Sequence, residues 1–191
     1  MKHHLSDSVN NQASPWKTVS SEVKYENAWI RVREDQVIRP DGKPGIYGVV
    51  EPRVAVGVVA MTPEKEIYLV GQYRYPTKRY SWELIEGGAD KNEDPLDAIK
   101  RELGEEAGLE AKNWKLLSSE IQLSNCYTSE LAYIYLATEI SVSNKKFDLD
   151  PTEVLEVRKI PLIEATEMVR SGEISDALSM IGIFLAEKAA S

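Results

Sequence analysis

The sequence predicts a mixed α/β protein, with helices packed around a largely mixed sheet and a small antiparallel β-sheet ahead of the main domain. Short β-prone runs and helical stretches follow one another without strict βαβ alternation, which argues for mixed rather than doubly wound topology. A stretch over 95–107 carries complete helix start and stop signals. The chain has 191 residues, of which 42 % are hydrophobic and 28 % charged. That balance suits one globular domain with a core large enough to need no staples.

The elements follow in order. Residues 1–15 are polar and read as an N-terminal arm. Trp16–Lys24, Trp29–Ile38 and Gly45–Val50 are β-prone, the last two separated by the turn signal Pro40-Asp41-Gly42-Lys43-Pro44. Residues 16–50 are therefore expected as a β-sheet segment ahead of a domain over 51–191. Val54–Met61 is almost wholly apolar and reads as a buried strand. Ile67–Tyr73 follows closely enough to suggest a hairpin with it. A short strand over Ser81–Ile85 leads into a loop, Glu86–Glu93.

The helix over 95–107 has Asp94 as N-cap, Pro95 at its first position and Gly108 as its stop. Leu96, Ile99, Leu103 and Ala107 fall on one face and pack on the sheet. Strands are expected at Trp114–Ile121, Leu131–Ala137 and Val154–Lys159, with a loop at Val142–Asp150. Helices at Leu162–Arg170 and Ser175–Lys188 close the sequence.

Composition excludes several functions. The net charge of −8 disfavours nucleic acid and anionic membrane as partners. One cysteine, Cys126, forms no disulfide within the chain and no zinc ribbon. Both histidines, His3 and His4, lie in the polar arm, so the chemistry falls to carboxylates, Tyr, Lys, Arg, Ser or Thr. No apolar run approaches the roughly 18 residues of a membrane span. The expected location is the cytoplasm.

Glu102, Glu105 and Glu106 stand at i, i+3 and i+4 near the end of the helix. Like charges at that spacing repel, and the helix dipole disfavours anions there. A hard divalent cation reverses the sign of both effects. A solvated acidic face is the alternative for three glutamates alone. Their context decides between the two. Residues 87–109 read Gly87, five residues, Glu93, seven residues, then Arg101-Glu102-Leu103-Gly104-Glu105-Glu106-Ala107-Gly108-Leu109. This resembles the Nudix box at every defined position, and chance agreement is on the order of 10⁻⁹ per start position at average residue frequencies.

The resemblance implies an α/β/α sandwich and a hydrolase that uses Mg²⁺ or Mn²⁺ on a nucleoside diphosphate linked to another group. Carried over, Glu102 and Glu106 hold metal, Glu105 binds or orients a second metal or its water, and Arg101 holds the carboxylates in place. Glu93 braces the loop, and the Glu86 carbonyl matches a position that commonly ligates metal. The approach Trp82-Glu83-Leu84-Ile85-Glu86-Gly87 resembles that of ADP-ribose and nucleotide-sugar pyrophosphatases, with Ile85-Glu86 in place of Pro-Ala. Glu83 then faces the metal cluster.

In the same subgroup Gln72-Tyr73-Arg74 resembles a strand end whose arginine contacts substrate phosphates, and Arg53 serves similarly. Surface ion pairs are the alternative for both arginines. The 124–130 segment resembles the substrate loop, which puts Glu130 on the ribose or sugar. Glu153, in a motif resembling E-x-x-E-V, matches the catalytic base, with Glu156 as the alternative. The N-terminal sheet resembles a segment exchanged between subunits of a homodimer, and Tyr25 and Trp29 then meet the base or the interface. The expected substrate is a nucleotide sugar, ADP-ribose first and GDP-mannose next. A nucleoside triphosphate pyrophosphohydrolase and a non-catalytic nucleotide-sugar sensor are the competing readings.

Overall fold

The computed structural model describes residues 13–145 and 154–190. Two compact units emerge, one running to Pro52 and taking in Cys126–Ser129, the other comprising Arg53–Asn125 and the chain from Glu130 onward.

The first unit is an antiparallel meander of β1 (Lys17–Glu26), β2 (Ile30–Ile38) and β3 (Pro44–Pro52), in that order across the sheet. The Pro40–Lys43 turn forms as the sequence predicts. Gly42 takes a φ of 80°, where a Cβ is disfavoured, and its N–H donates to the Arg39 carbonyl at 2.9 Å. Arg33 Nε on β2 donates to Glu51 on β3 at 2.9 Å, a cross-strand ion pair. The 126–129 segment joins the edge of β3. Val50 N–H donates to the Tyr127 carbonyl at 2.8 Å, and the Tyr47 hydroxyl donates to the Cys126 carbonyl at 2.6 Å. Every residue of β1 is exposed.

The second unit holds two sheets and three helices. One sheet runs β7 (Ile85–Gly88), β4 (Ala55–Ala60), β9 (Ala132–Val142), β8 (Leu109–Ile121). β4 pairs parallel with β9 and antiparallel with β7, so the sheet is mixed. The other runs β10 (Glu156–Pro161), β5 (Glu66–Arg74), β6 (Arg79–Glu83), all antiparallel. The helices are α1 (Pro95–Ala107), α2 (Leu162–Ser171) and α3 (Ala177–Ala190).

The apolar run of β4 is explained by burial on both faces. Val56, Val58 and Ala60 pack in one cluster with Ile99 and Leu103 of α1. Val59 packs in another with Ile183 of α3 and with Met168 and Val169 of α2. Helices thus cover opposite faces, which is the α/β/α sandwich.

Four expectations need correction. β4 and β5 are not a ladder hairpin. An isolated bridge just past β4, Met61↔Ile67, touches β5, and the two strands part into different sheets, because β4 is already flanked by β7 and β9. The strand expected over Ser81–Ile85 is two, broken at Leu84, where the chain passes from one sheet to the other. Glu86–Gly88, expected in a loop, therefore pairs with β4. Finally, β8 begins at Leu109 rather than Trp114, directly after the helix stop at Gly108. No helix among the described residues is long and apolar enough to cross a membrane.

Candidate active site

Three local devices place the glutamates. The Asp94 carboxylate accepts from Leu96 N–H at 2.8 Å and opens α1. Gly108, at a φ of 64°, closes it and donates to the Gly104 carbonyl at 2.9 Å. Between them, Ile99 and Leu103 are fully buried and fix the helix's rotation. That rotation turns Glu106 inward, leaving it only 7 % exposed, which rejects the solvated-face alternative for this residue.

Arg101 organises the remainder. A guanidinium has five N–H donors, and here each one is used. Nε donates to Glu93 Oε1 at 3.2 Å and Nη2 to Glu93 Oε2 at 3.1 Å. Nη2 also donates to the Gly88 carbonyl at 3.1 Å. Nη1 serves Glu102 Oε1 and Glu105 Oε2, both at 2.8 Å. The guanidinium holds the Glu93 carboxyl below the usual carboxylate range, chiefly through this paired hydrogen bond. Glu93 Oε2 in turn accepts from Asp90 N–H at 2.8 Å and closes the loop that follows β7.

β7 lies alongside. Glu86 N–H donates to Glu106 Oε2 at 3.3 Å, and the Glu86 carboxylate accepts from the Ser179 hydroxyl of α3 at 2.6 Å. Burial pushes the Glu86 carboxyl well above its ordinary range, and the charge of Asp176 adds to this. Gly87 permits a close approach that no other residue allows. A Cβ there would stand 2.1 Å from Glu102 Cδ.

Glu83, only 3 % exposed, is gripped by Arg74, whose Nε lies 3.1 and 3.0 Å from its two carboxylate oxygens. Desolvation opposes the Arg74 charge, but Glu83, with Glu86 and Glu106 nearby, outweighs it. Arg53 makes an exposed pair with Asp90 at 2.8 Å. Glu130 is partly buried, and burial together with the Asp176 charge raises its carboxyl.

The structure thus brings together Glu86, Glu93, Arg101, Glu102, Glu105 and Glu106, with Arg74 and Glu83 adjoining. Tyr25 and Trp29 stand 55 % and 67 % exposed in the first unit. Glu153 lies outside the described residues. Glu156 sits on β10, where it accepts from the Tyr80 hydroxyl at 3.1 Å and faces Arg158 at 3.5 Å. Among the described residues no acidic trio already surrounds one point at ligand spacing, and Arg101 holds one oxygen each of Glu102 and Glu105. The donor set itself fits a hard divalent cation: clustered carboxylate oxygens with a glycine cradle beside them. Ser179 and Asp176 escaped sequence reasoning. Asp176 carried a faint signal as a helix-start residue, and its carboxylate accepts from Ser179 N–H at 2.8 Å.

A sandwich whose helix presents these glutamates to a glycine-floored loop defines a class, and comparison with known proteins agrees. The NUDIX domain model matches residues 51–178, and the chain belongs to that family. It is a hydrolase of the subgroup that carries the nucleoside diphosphate sugar hydrolase N-terminal domain, whose model matches residues 16–50. An ADP-ribose pyrophosphatase of Bacillus subtilis is 33 % identical over 87 % of this chain and 90 % of its own. One of Mycobacterium tuberculosis is 32 % identical over 88 % of this chain and 81 % of its own. A crystal structure of an ADP compounds hydrolase superposes with a TM-score of 0.79 at 20 % identity, covering 93 % of this chain and 95 % of that one, and supports the fold.

Proposed function

We propose that the protein hydrolyses the pyrophosphate bond of nucleoside diphosphate sugars, ADP-ribose first and GDP-mannose next, to a nucleoside monophosphate and a sugar phosphate. The observation that carries this reading is the single guanidinium of Arg101 holding Glu93, Glu102 and Glu105 beside the inward-turned Glu106. Glu102, Glu105, Glu106 and the Glu86 carbonyl are the groups that would hold Mg²⁺, with Mn²⁺ as a substitute. Bound there, such a cation neutralises diphosphate charge and makes water a better nucleophile.

The chain's own groups supply the remaining parts. Arg101 keeps mutually repelling carboxylates in one place. Arg74 and Arg53 are the cations for the substrate's phosphates, and Arg74 exchanges its grip on Glu83 for that contact. Glu130 accepts a hydrogen bond from a ribose or sugar hydroxyl. Glu153 takes the proton of the attacking water. The alternative base, Glu156, is already engaged by Tyr80 and Arg158, which favours Glu153. The three-stranded sheet is the homodimerisation element, its β1 being exposed throughout. Tyr25 and Trp29 offer flat faces to the nucleobase.

The test is a panel of nucleotide sugars at millimolar Mg²⁺, read by phosphatase-coupled phosphate release. Cleavage of ADP-ribose, abolished by chelator, is the expected result. Silence across the panel together with release from nucleoside triphosphates would replace this reading. Tight ADP-ribose binding without turnover would turn it into a sensor.

A further inference from the structure

Glu86 departs from the Pro-Ala approach that the preceding residues resemble, and the structure shows what its longer side chain does. β4 and β7 are paired so that Gly57 stands opposite Glu86. Lacking a side chain, Gly57 leaves a lane across β4. A Cβ at that position would lie 3.5 Å from Glu86 Cγ and 3.2 Å from Leu178 Cδ2 of α3. Through this lane the Glu86 carboxylate reaches α3 and accepts from the Ser179 hydroxyl at 2.6 Å.

Ser179 is fully buried, and its hydroxyl and its N–H are both engaged. Its oxygen also accepts from Leu84 N–H at 2.9 Å, one residue before β7 begins. Its own N–H is held by the Asp176 carboxylate at 2.8 Å. The other end of the link is the catalytic helix, because Glu86 N–H donates to Glu106 Oε2. A continuous hydrogen-bonded path therefore runs from the start of α3, through one hydroxyl and one β7 residue, to a carboxylate of α1. Its two ends are far apart in sequence and lie on helices covering opposite faces of the sheet.

We infer that Ser179 is a positioning residue: acting through Glu86, it fixes the β7 peptide that orients the Glu106 carboxylate for its cation. The inference rests on the proposed metal-dependent hydrolysis and names a residue that the box does not contain. Groups that orient metal ligands are commonly worth about 10- to 100-fold in metal affinity. A buried hydroxyl that served only to satisfy Leu84 would affect stability alone.

The experiment is a double-mutant cycle on the full chain, read by Mn²⁺ affinity from the paramagnetic resonance of free Mn²⁺, without substrate. Ser179→Ala should weaken Mn²⁺ binding by roughly tenfold or more. It should also lower kcat while leaving KM within about twofold, since the substrate contacts are untouched. In a Glu86→Ala background the same substitution should change Mn²⁺ affinity by less than about twofold, because the link is already cut. Glu86→Leu, closer in volume, is the second background if Glu86→Ala does not fold. Loss of the Leu84 hydrogen bond lowers the melting temperature in either background and so separates the structural part. Equal loss of Mn²⁺ affinity in both backgrounds, or none in the single variant, overturns the inference. A wild-type protein that binds Mn²⁺ but cleaves no nucleotide sugar overturns the functional proposal and leaves this one standing.

Discussion

Replacing Gly87 by alanine isolates the closest contact in the site. The added Cβ would lie 2.1 Å from Glu102 Cδ, 2.2 Å from Oε1 and 2.5 Å from Cγ. Ordinary van der Waals contact begins near 3.4 Å, so the Glu102 carboxylate must retreat by more than about 1 Å. Retreat is cheap for the fold, since a flexible side-chain end moves rather than backbone. The main loss is the hydrogen bond from Arg101 Nη1, partly exposed and worth about 1 kcal/mol after screening. For a chain of this size that is a fall in melting temperature of roughly 2–4 °C. For catalysis a ligand displaced by that distance costs on the order of 100-fold.

The expected signature is thus a nearly unchanged melt with kcat/KM down about two orders of magnitude and weakened Mn²⁺ binding. Gly88→Ala is the control, because its Cβ meets only Arg53 carbons at 3.5 and 3.6 Å, and its activity should stay within a few-fold of wild type. Full activity and metal affinity in Gly87→Ala would refute the assignment of Glu102 as a metal ligand.

Other outcomes follow from the same geometry. Glu106→Gln should abolish turnover, by about 100-fold or more, while circular dichroism stays native; near-normal rates at saturating Mg²⁺ would remove Glu106 from the ligand set. Glu93 has a folded-state pKa below its unfolded value, so its contribution to stability is present above the unfolded pKa of about 4.3 and disappears as pH falls through the folded one. The urea midpoint of wild type should therefore exceed that of Glu93→Gln most at neutral pH, and the gap should close in acid. A gap that widened on acidification would contradict the Arg101 pairing. Trp29→Ala and Tyr25→Ala should raise KM for ADP-ribose severalfold with kcat and melting temperature unchanged, as suits exposed rings. An unaltered KM in both would exclude them from substrate binding.

What the sequence made legible was local. Asp94, Pro95 and Gly108 punctuate α1 by backbone chemistry that needs no partner, and they appear in the structure as expected. The spacing of Arg101 and its glutamates likewise follows from one helix and the loop before it. The misreadings were long-range. Nothing near Met61 or Ile67 announces that β4 takes β9, far along the chain, as its neighbour rather than β5. Leu84 has no turn residue to mark the passage between sheets. Ser179 reads as one more small residue in an apolar helix, because its partner lies 93 positions away.

The saturation of Arg101 also ties down the spacing between Gly88, Glu93 and the helix in this chain. One rigid planar fork binds the Gly88 carbonyl, both oxygens of Glu93 and two carboxylates of its own helix. The segment from Gly88 to Glu93 is therefore a closed ring rather than a free connection, its two ends fastened to the same cation. Surface loops usually absorb added residues at little cost, since closure entropy grows only slowly with length. This one has no such latitude. A single inserted residue between Gly88 and Glu93 would strand donors or carboxylates that the fork now satisfies, so added length here costs hydrogen bonds as well as closure entropy.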